Sequence, residues 1–539
     1  MLLKRLQYYF SRFWLAIAVA SYLFMPYASR YVVGLNRFKF FWTWYDLAAL
    51  ILCIISLGSF FFLFFLCLRG FGNVFLRKLF EIGFVAVFGV AVFANAHHAV
   101  KYLLMRSEIK PEGLWLGLLD NASILCIALL VVLMSFAFFA RSLKIYKKCM
   151  ACCFVFSTVL PIFAGNALFY KQIAYKALPH VPEVVRNATR SSGAKGNVYF
   201  FIFDEWSYVR SFEKNELIEP FVHLKQFQKQ SVYFREAFSY APMTLNSIPS
   251  ILYQAGHQFV INKNSIGFQQ DRFVPLGQMS HLFTHPRQLG YYTAMVGNYV
   301  PVRELLQDDI DFSFSASHGK LLGMGFFDVA GQHLYEAGLK LLMGYESHRI
   351  DIITGYFLNR FSVRLNNKID ALTKKIIADV SVPTFAVFHY VIPHGPFIYK
   401  REGPISFFKR ADYVGASGYY NNLEFLDEKI GEIIELCKRV DKYDQSLIIM
   451  TSDHSWRFDN KAALKDMFHV PLFIKLPYQK APIEIHSPFS IIKLGMVVQS
   501  YMDGTLDVSN IEEILNDSSF YVPPRLPTEE EIQSLKTLL

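Results

Sequence analysis

Five long apolar runs crowd the first third of this chain, and nothing like them follows. They occupy about 13–29, 45–68, 79–100, 119–140 and 149–170, and consist mostly of Leu, Ile, Val, Phe and Ala. A helix of roughly 17–25 such residues is long enough to cross the hydrocarbon of a bilayer. Five in succession are poorly explained as buried helices of a water-soluble core, so five membrane-spanning helices are expected. No clean cleavage signal follows the first, which reads as an anchor rather than a removed leader. The 539 residues therefore divide into a spanning unit (1–170), a linker (171–195) with Pro179 and Pro182, a globular domain (196–500) and an acidic, peripheral tail (501–539).

Charge orients the spans. Lys4, Arg5 and Arg12, then Arg69, Arg77 and Lys78, then Arg141, Lys144, Lys147 and Lys148 lie on one side, ten in all. The other side carries eight: Arg30, Arg37, Lys39, Lys101, Arg106, Lys110, Lys171 and Lys176. The bias is modest and places the N-terminus in the cytoplasm. An odd number of crossings then delivers the globular domain outside it. The net charge of +10 is scattered, much of it flanking the apolar runs, which argues against a nucleic-acid partner and for a membrane face or an anionic substrate. Six of the seven cysteines lie within or beside the apolar runs; only Cys437 is in the globular part, so that domain holds no internal disulfide.

In the globular domain, continuous apolar runs end in polar residues. Val198–Phe203 ends in Asp204-Glu205, 383–389 in His389 and then His394-Gly-Pro, and 446–452 in Asp453-His454. A fourth run begins at His469. Runs apolar on both faces are expected of buried parallel strands, and such sheets gather ligands at strand ends. Residues 419–437 show helical spacing at Leu423, Leu426, Ile430, Ile433 and Ile434. Strands alternating with helices predict an α/β sandwich. The stretch 256–345 shows no clear alternation and reads as insertions around a cleft.

Asp204 or its neighbour Glu205, with Asp453 and His454, supplies carboxylate and imidazole donors suited to Zn²⁺ or Mn²⁺. Thr244, on a Thr-Leu-Asn-Ser-Ile-Pro-Ser turn at 244–250, is a candidate nucleophile or metal ligand, or else a helix cap. His389 and His394 are candidates for proton transfer or for holding a transferred oxygen. Lys400 and Arg401 suit an anion or the surface equally; Tyr420 and Asn422 are weaker candidates, and Cys437 reads as a helix-face residue.

These residues resemble the alkaline phosphatase and sulfatase superfamily. More narrowly, the chain is similar to the membrane-anchored phosphoethanolamine and phosphoglycerol transferases, which join five transmembrane helices to an exported α/β domain. Asn197 to Asp204 resembles the family's first strand and acidic ligand, where Glu is usual. Thr244-x-x-Ser247-x-Pro249 resembles the nucleophile turn. His389 and His394-Gly395-Pro396 resemble the substrate-side histidines, Ser452-Asp453-His454 the strand end with two metal ligands, and His469 a further histidine near the transferred group. Ser455 stands where the family has Gly, and the disulfides common in periplasmic members are absent.

The resemblance implies a protein of the bacterial inner membrane with its catalytic domain in the periplasm. A phospholipid head group would pass through a phospho-threonine at Thr244 to an envelope glycan or lipid. The metal would be held by Asp204, Asp453, His454 and Thr244, and substrate by His389, His394, His469, Lys400 and Arg401. Two alternatives stay open: a hydrolase of envelope glycan esters, and a non-catalytic scaffold. Sulfate ester hydrolysis through formylglycine is disfavoured, because Thr244 cannot form that group and no Cys/Ser-x-Pro-x-Arg setting surrounds it.

Overall fold

The structure, a computed structural model, describes residues 44–70, a few positions between 9 and 24, and 196–525 apart from several internal stretches, the longest being 334–351. The chain forms two compact units. One comprises Met1–Leu178 with His318–Arg349, and the other Pro179–Ser317 with Ile350–Leu539.

In the first unit, α1 (Trp44–Gly70) is a 27-residue helix over the second apolar run. Helical positions of the first run lie against it. Phe13 meets Phe62 edge to face at 5.5 Å, and a Cβ on Gly58 would come within 2.9 Å of the Ile17 Cα. Going from 13 to 17 on one segment means going from 62 back to 58 on the other, so the two run antiparallel. A glycine at the crossing lets the backbones approach, as small residues do between apolar helices. Side chains are described for 48–64 and for 66 and 67 of α1. Counting those, no helix among the described residues is long and apolar enough to cross a membrane. The third, fourth and fifth expected spans and the linker 171–195 lie outside the described residues.

The second unit is an α/β domain on one mixed sheet. Its strands are β1 (Val198–Phe203), β2 (Val232–Phe234), β3 (Tyr292–Asn298), β4 (Phe312–Ala316), β5 (Thr384–Tyr390), β6 (Leu447–Ser452), β7 (Leu472–Lys475) and β8 (Ile483–Ile485), in the order β4-β3-β5-β1-β6-β7-β2-β8. From β4 to β6 every neighbour is parallel, whereas β7 runs against both its neighbours. All six residues of β1 are fully buried, which explains why Val-Tyr-Phe-Phe-Ile-Phe carries no polar alternation. The helices used below are α2 (Thr244–Tyr253), α3 (Ile352–Asp379) and α4 (Ala416–Arg439). In α4, Leu423, Leu426, Ile430 and Ile433 are buried, the stripe that helical spacing demands.

Three expectations change. The stretch 256–345 supplies β3 and β4 to the main sheet, and also a small antiparallel sheet of Gln258–Asn262, Ser265–Gln269 and Phe273–Pro275. Tyr-Thr-Ala-Met-Val-Gly-Asn in β3 has no unbroken apolar run, so the rule that found β1 passes over it. The turn at 244–250 is the start of α2. The tail buries Leu506, Ile511, Leu515 and Phe520, and Ser490 Oγ donates to the Val522 carbonyl at 2.6 Å, so it belongs to the packed domain as far as 525.

Candidate active site

β1 lies between β5 and β6, and the register sets Ile202 beside His389 and Phe203 beside both Tyr390 and Ser452. Asp204 therefore leaves β1 at the level where Asp453 and His454 leave β6. The Asp204 amide donates to the Tyr390 carbonyl and the His394 amide to the Asp204 carbonyl, both at 3.0 Å. The loop after β5 is thereby tied to the end of β1.

α2 brings the hydroxyl. Thr244 is its first residue and Met243 holds the N-cap position, so Thr244 is not a cap. Its Oγ1 lies 3.2 Å from His454 Nε2 and 3.4 Å from Asp204 Oδ1. Ser247, three residues further along the helix, donates from Oγ to the Asp453 carbonyl. The start of α2 and the end of β6 are thus clamped together.

The donor atoms face one another. Asp453 Oδ1 accepts the amides of His454 at 2.9 Å and Glu205 at 3.3 Å. Asp453 Oδ2, Asp204 Oδ2 and His389 Nε2 are buried without a hydrogen-bond partner. His454 Nε2 is 3.7 Å from Asp204 Oδ1 and 3.5 Å from Asp453 Oδ2, and His389 Nε2 is 4.0 Å from Asp453 Oδ2. The His454 Nδ1 lies 2.9 Å from the Ser455 carbonyl. A carbonyl only accepts, so Nδ1 carries a proton and Nε2 is the ring nitrogen that faces inward, the orientation a metal ligand needs.

Electrostatics agree with that reading. Burial, reinforced by the Asp453 and Glu205 carboxylates, pushes the Asp204 carboxyl well above its ordinary value. Burial opposes ionisation of Asp453 too, but His454 and His389 beside it hold its carboxyl below the usual range. Two acids so close in a dry site do not both ionise unaided. Orphaned oxygens and an orphaned imidazole nitrogen, with Asp204, His389 and Asp453 donor atoms all within 4.8 Å of one another, fit a divalent cation, and the O/N donor set suits Zn²⁺ or Mn²⁺.

Glu205 faces another way. It adopts a left-handed φ of 63°, and its Oε1 lies 2.7 Å from Arg457 Nε. Arg457 Nη2 is 3.0 Å from His394 Nε2. Guanidinium only donates, so His394 Nε2 accepts, and its Nδ1 donates to the Gly395 carbonyl at 2.6 Å. His394 is thereby a neutral imidazole, and burial also holds its pKa down. Asp204, rather than Glu205, is the acid beside Thr244 and His454.

Asp204, Thr244, His389, His394, Asp453 and His454 thus come together. Asn422, buried in α4, donates to the Pro393 carbonyl at 3.1 Å and accepts from the Tyr399 amide at 3.2 Å, which holds the His394 loop. The other candidates have other partners. The His469 ring stacks on Tyr208 at 3.9 Å, with Nε2 donating to the Arg235 carbonyl at 2.8 Å. Arg401 pairs with Glu428 at 2.6 Å and donates to the Pro220 carbonyl at 2.7 Å. Lys400 is exposed. Tyr420 accepts from Arg210 at 3.4 Å, and Cys437 is buried with its thiol pushed up to about 12 by burial. Sequence reasoning passed over Arg457 and did not foresee the clamp from Ser247. Arg457 follows Asp453-His454 by a few residues, the one signal that pointed to it.

A hydroxyl set among buried carboxylates and imidazoles at the carboxyl edge of a mixed sheet suits a hydrolase or transferase. The sulfatase family pattern matches residues 197–503, and this chain belongs to that family, within the alkaline phosphatase and sulfatase superfamily. No curated protein matches it. Similar solved structures include the phosphonate monoester hydrolase of Agrobacterium radiobacter, at 15% identity over 57% of this chain and 74% of that one, with a TM-score of 0.38. A lipoteichoic acid synthase from Listeria monocytogenes gives 14% identity, 65% and 81% coverage and a TM-score of 0.38. A 2-O glycosaminoglycan sulfatase gives 11%, 60%, 74% and 0.39.

Proposed function

We propose that this protein is a membrane-anchored transferase of the bacterial inner membrane, with its catalytic domain in the periplasm. It moves a phospholipid head group, phosphoethanolamine or phosphoglycerol, to an envelope glycan or lipid. The observation that carries this reading is the Thr244 hydroxyl, 3.2 Å from His454 Nε2 and 3.4 Å from Asp204 Oδ1. Threonine makes a phosphate ester but cannot become the formylglycine that sulfate ester hydrolysis uses in this fold.

A divalent cation held by Asp204, Asp453, His454 and Thr244, with His389 in reach, would lower the proton affinity of the hydroxyl and offset charge on the phosphoryl oxygens. Thr244 Oγ1 attacks phosphorus, the bond to the diacylglycerol oxygen breaks, and the proton lost by the hydroxyl balances the one the leaving alkoxide gains. Arg457 offers N–H donors to the anionic group. Once the Arg457 N–H donors turn to the anionic group, the freed Nε2 lone pair of neutral His394 accepts the proton of the incoming hydroxyl; that oxygen displaces Thr244, whose departing oxygen regains a proton in turn. Two displacements at one residue are what a transferase needs from a covalent intermediate. The apolar runs of 1–170 support anchoring beside a donor that lies in lipid.

Water in place of the acceptor hydroxyl would make the same site a phosphodiesterase, because the His394 lone pair accepts a proton from either. Intact-mass measurement of the full chain incubated with phosphatidylethanolamine or phosphatidylglycerol tests the proposal. A head-group adduct lost in T244A, with metal retained in that variant and lost in D453A, supports it. No adduct from either lipid, with unaltered turnover in T244A, would sink it.

A further inference from the structure

The turn that leads into α4 is tied to the segment that follows His394. The Asp412 carbonyl accepts the Phe397 amide at 2.7 Å, and the Asp412 carboxylate accepts the Gly415 amide at 2.9 Å. Tyr413 lies inside the turn these bonds hold. We infer that Tyr413 is a positioning residue: its ring bears on the His394-Gly395 step and fixes the imidazole that takes the proton of the incoming hydroxyl. The inference rests on the role given to His394 above.

Two contacts carry it. The Tyr413 ring meets the His394 ring edge to face, with centroids 6.2 Å apart and planes at 78°, an arrangement that aromatic pairs favour. The same Tyr413 ring lies on Gly395. A Cβ there would come within 3.0 Å of Tyr413 Cγ and 3.1 Å of its Cε1, and nearer still to Cδ1. Packed carbon atoms keep about 3.5–4.0 Å apart. Gly395 does not adopt a positive φ, so its backbone would accept an alanine, and the atoms nearest to such a side chain are those of the Tyr413 ring. Glycine at 395 and tyrosine at 413 are a fitted pair beside the imidazole.

What the ring adds is direction. His394 Nδ1 donates to the Gly395 carbonyl at 2.6 Å, so the imidazole is bonded to the residue on which Tyr413 rests. Displacing that residue turns the other ring nitrogen, Nε2, away from Arg457, which it meets at 3.0 Å. Small misplacements of a reacting group cost large factors in rate. The Tyr413 hydroxyl makes no hydrogen bond among the described residues, so the ring rather than the hydroxyl carries the effect. Tyr413 is partly exposed, and truncation at such a position costs the fold little.

Variants of the full chain given Mn²⁺ with phosphatidylethanolamine or phosphatidylglycerol test this. Y413A is expected to form the Thr244 adduct at the native rate and to lose it to water about tenfold more slowly, because only the second displacement uses His394. Y413F, which keeps the ring, is expected to recover most of that rate. G395A pushes the ring aside and should slow the loss as Y413A does, and G395A/Y413A should be no slower than Y413A, since both act through one contact. A second measurement needs no turnover: the nitrogen NMR spectrum of chain carrying isotope-labelled histidine, with His394 assigned from H394A. One Nδ1–H tautomer is expected in the native and Y413F chains, and averaged nitrogen shifts in Y413A and G395A. Adduct loss at the native rate with a native His394 spectrum in Y413A and G395A would overturn the inference, as would a Y413F chain as slow as Y413A. A native chain that forms no adduct from either lipid would overturn the transferase reading instead, and the His394 spectrum then decides the inference alone.

Discussion

Arg457 Nε lies 2.7 Å from Glu205 Oε1, and the same guanidinium reaches His394 Nε2 at 3.0 Å. One cation thereby balances a buried acid and fixes the tautomer of a catalytic candidate. R457A is expected to lower kcat/KM by roughly 10²–10³, the range for losing one preorganised donor to developing charge. R457K should recover little, because an ammonium cannot hold both partners in the fork geometry. Kinetics on the two variants check this, with R457A/E205Q as the control for folding; activity retained in R457A refutes the role.

Ser247 reaches back from α2 to the Asp453 carbonyl. S247A removes that clamp and is expected to cost about 1 kcal/mol of stability, the worth of one such bond. Turnover should fall more than this implies, by about tenfold or more, because Thr244 is then less well positioned. Parallel melts and single-turnover rates separate the two effects.

A Cβ on Gly297 would come within 2.9 Å of His389 Cβ and 3.5 Å of its Nδ1. Both residues sit inside paired strands, so neither backbone yields easily. G297A is expected to destabilise the domain by about 1–3 kcal/mol, as overpacking does, and to weaken binding of Mn²⁺ or Zn²⁺ by displacing His389. Metal titration of G297A against the native chain tests it, and unchanged affinity would remove His389 from the donor set.

Lys475 is fully buried, with Nζ donating to the Tyr443 and Leu476 carbonyls at 2.8 and 3.2 Å. Burial holds its pKa down at about 8. Below that pH both folded and unfolded chains carry the proton, and the folded one bears a buried charge. Between about 8 and the ordinary lysine value near 10.4 the folded chain has lost the proton and the unfolded chain has not. Stability from this group therefore rises with pH across that window. Melting midpoints from pH 7.5 to 10 should shift in favour of the native chain relative to K475M; a constant difference refutes the prediction.

Legibility in the sequence tracked one physical property. β1, β5 and β6 are covered on both faces, so they are apolar throughout, and each ends where polarity begins. That contrast exposed Asp204, His389 and Asp453-His454. β3 and β4 lie toward the edge of the same sheet, where Thr293, Ser313 and Ser315 are tolerated, and no apolar run marked them. Arg457 escaped notice because a single cation in a loop has no period and no partner until Glu205 and His394 are brought to it. His469 shows the reverse. A histidine before a strand looked like a ligand, whereas its ring packs on Tyr208 and Phe238.

Three adjacent parallel strands each terminate in this centre, so gaining or losing one residue within any of them turns that strand over and exchanges its two faces. Chemistry here is locked to strand length. The loops that join the strands of the small sheet within Gln258–Pro275 lead to no candidate site residue, and loops between strands lengthen and shorten at little cost. Directed evolution toward a new substrate should accumulate insertions and deletions there, and only substitutions in β1, β5 and β6.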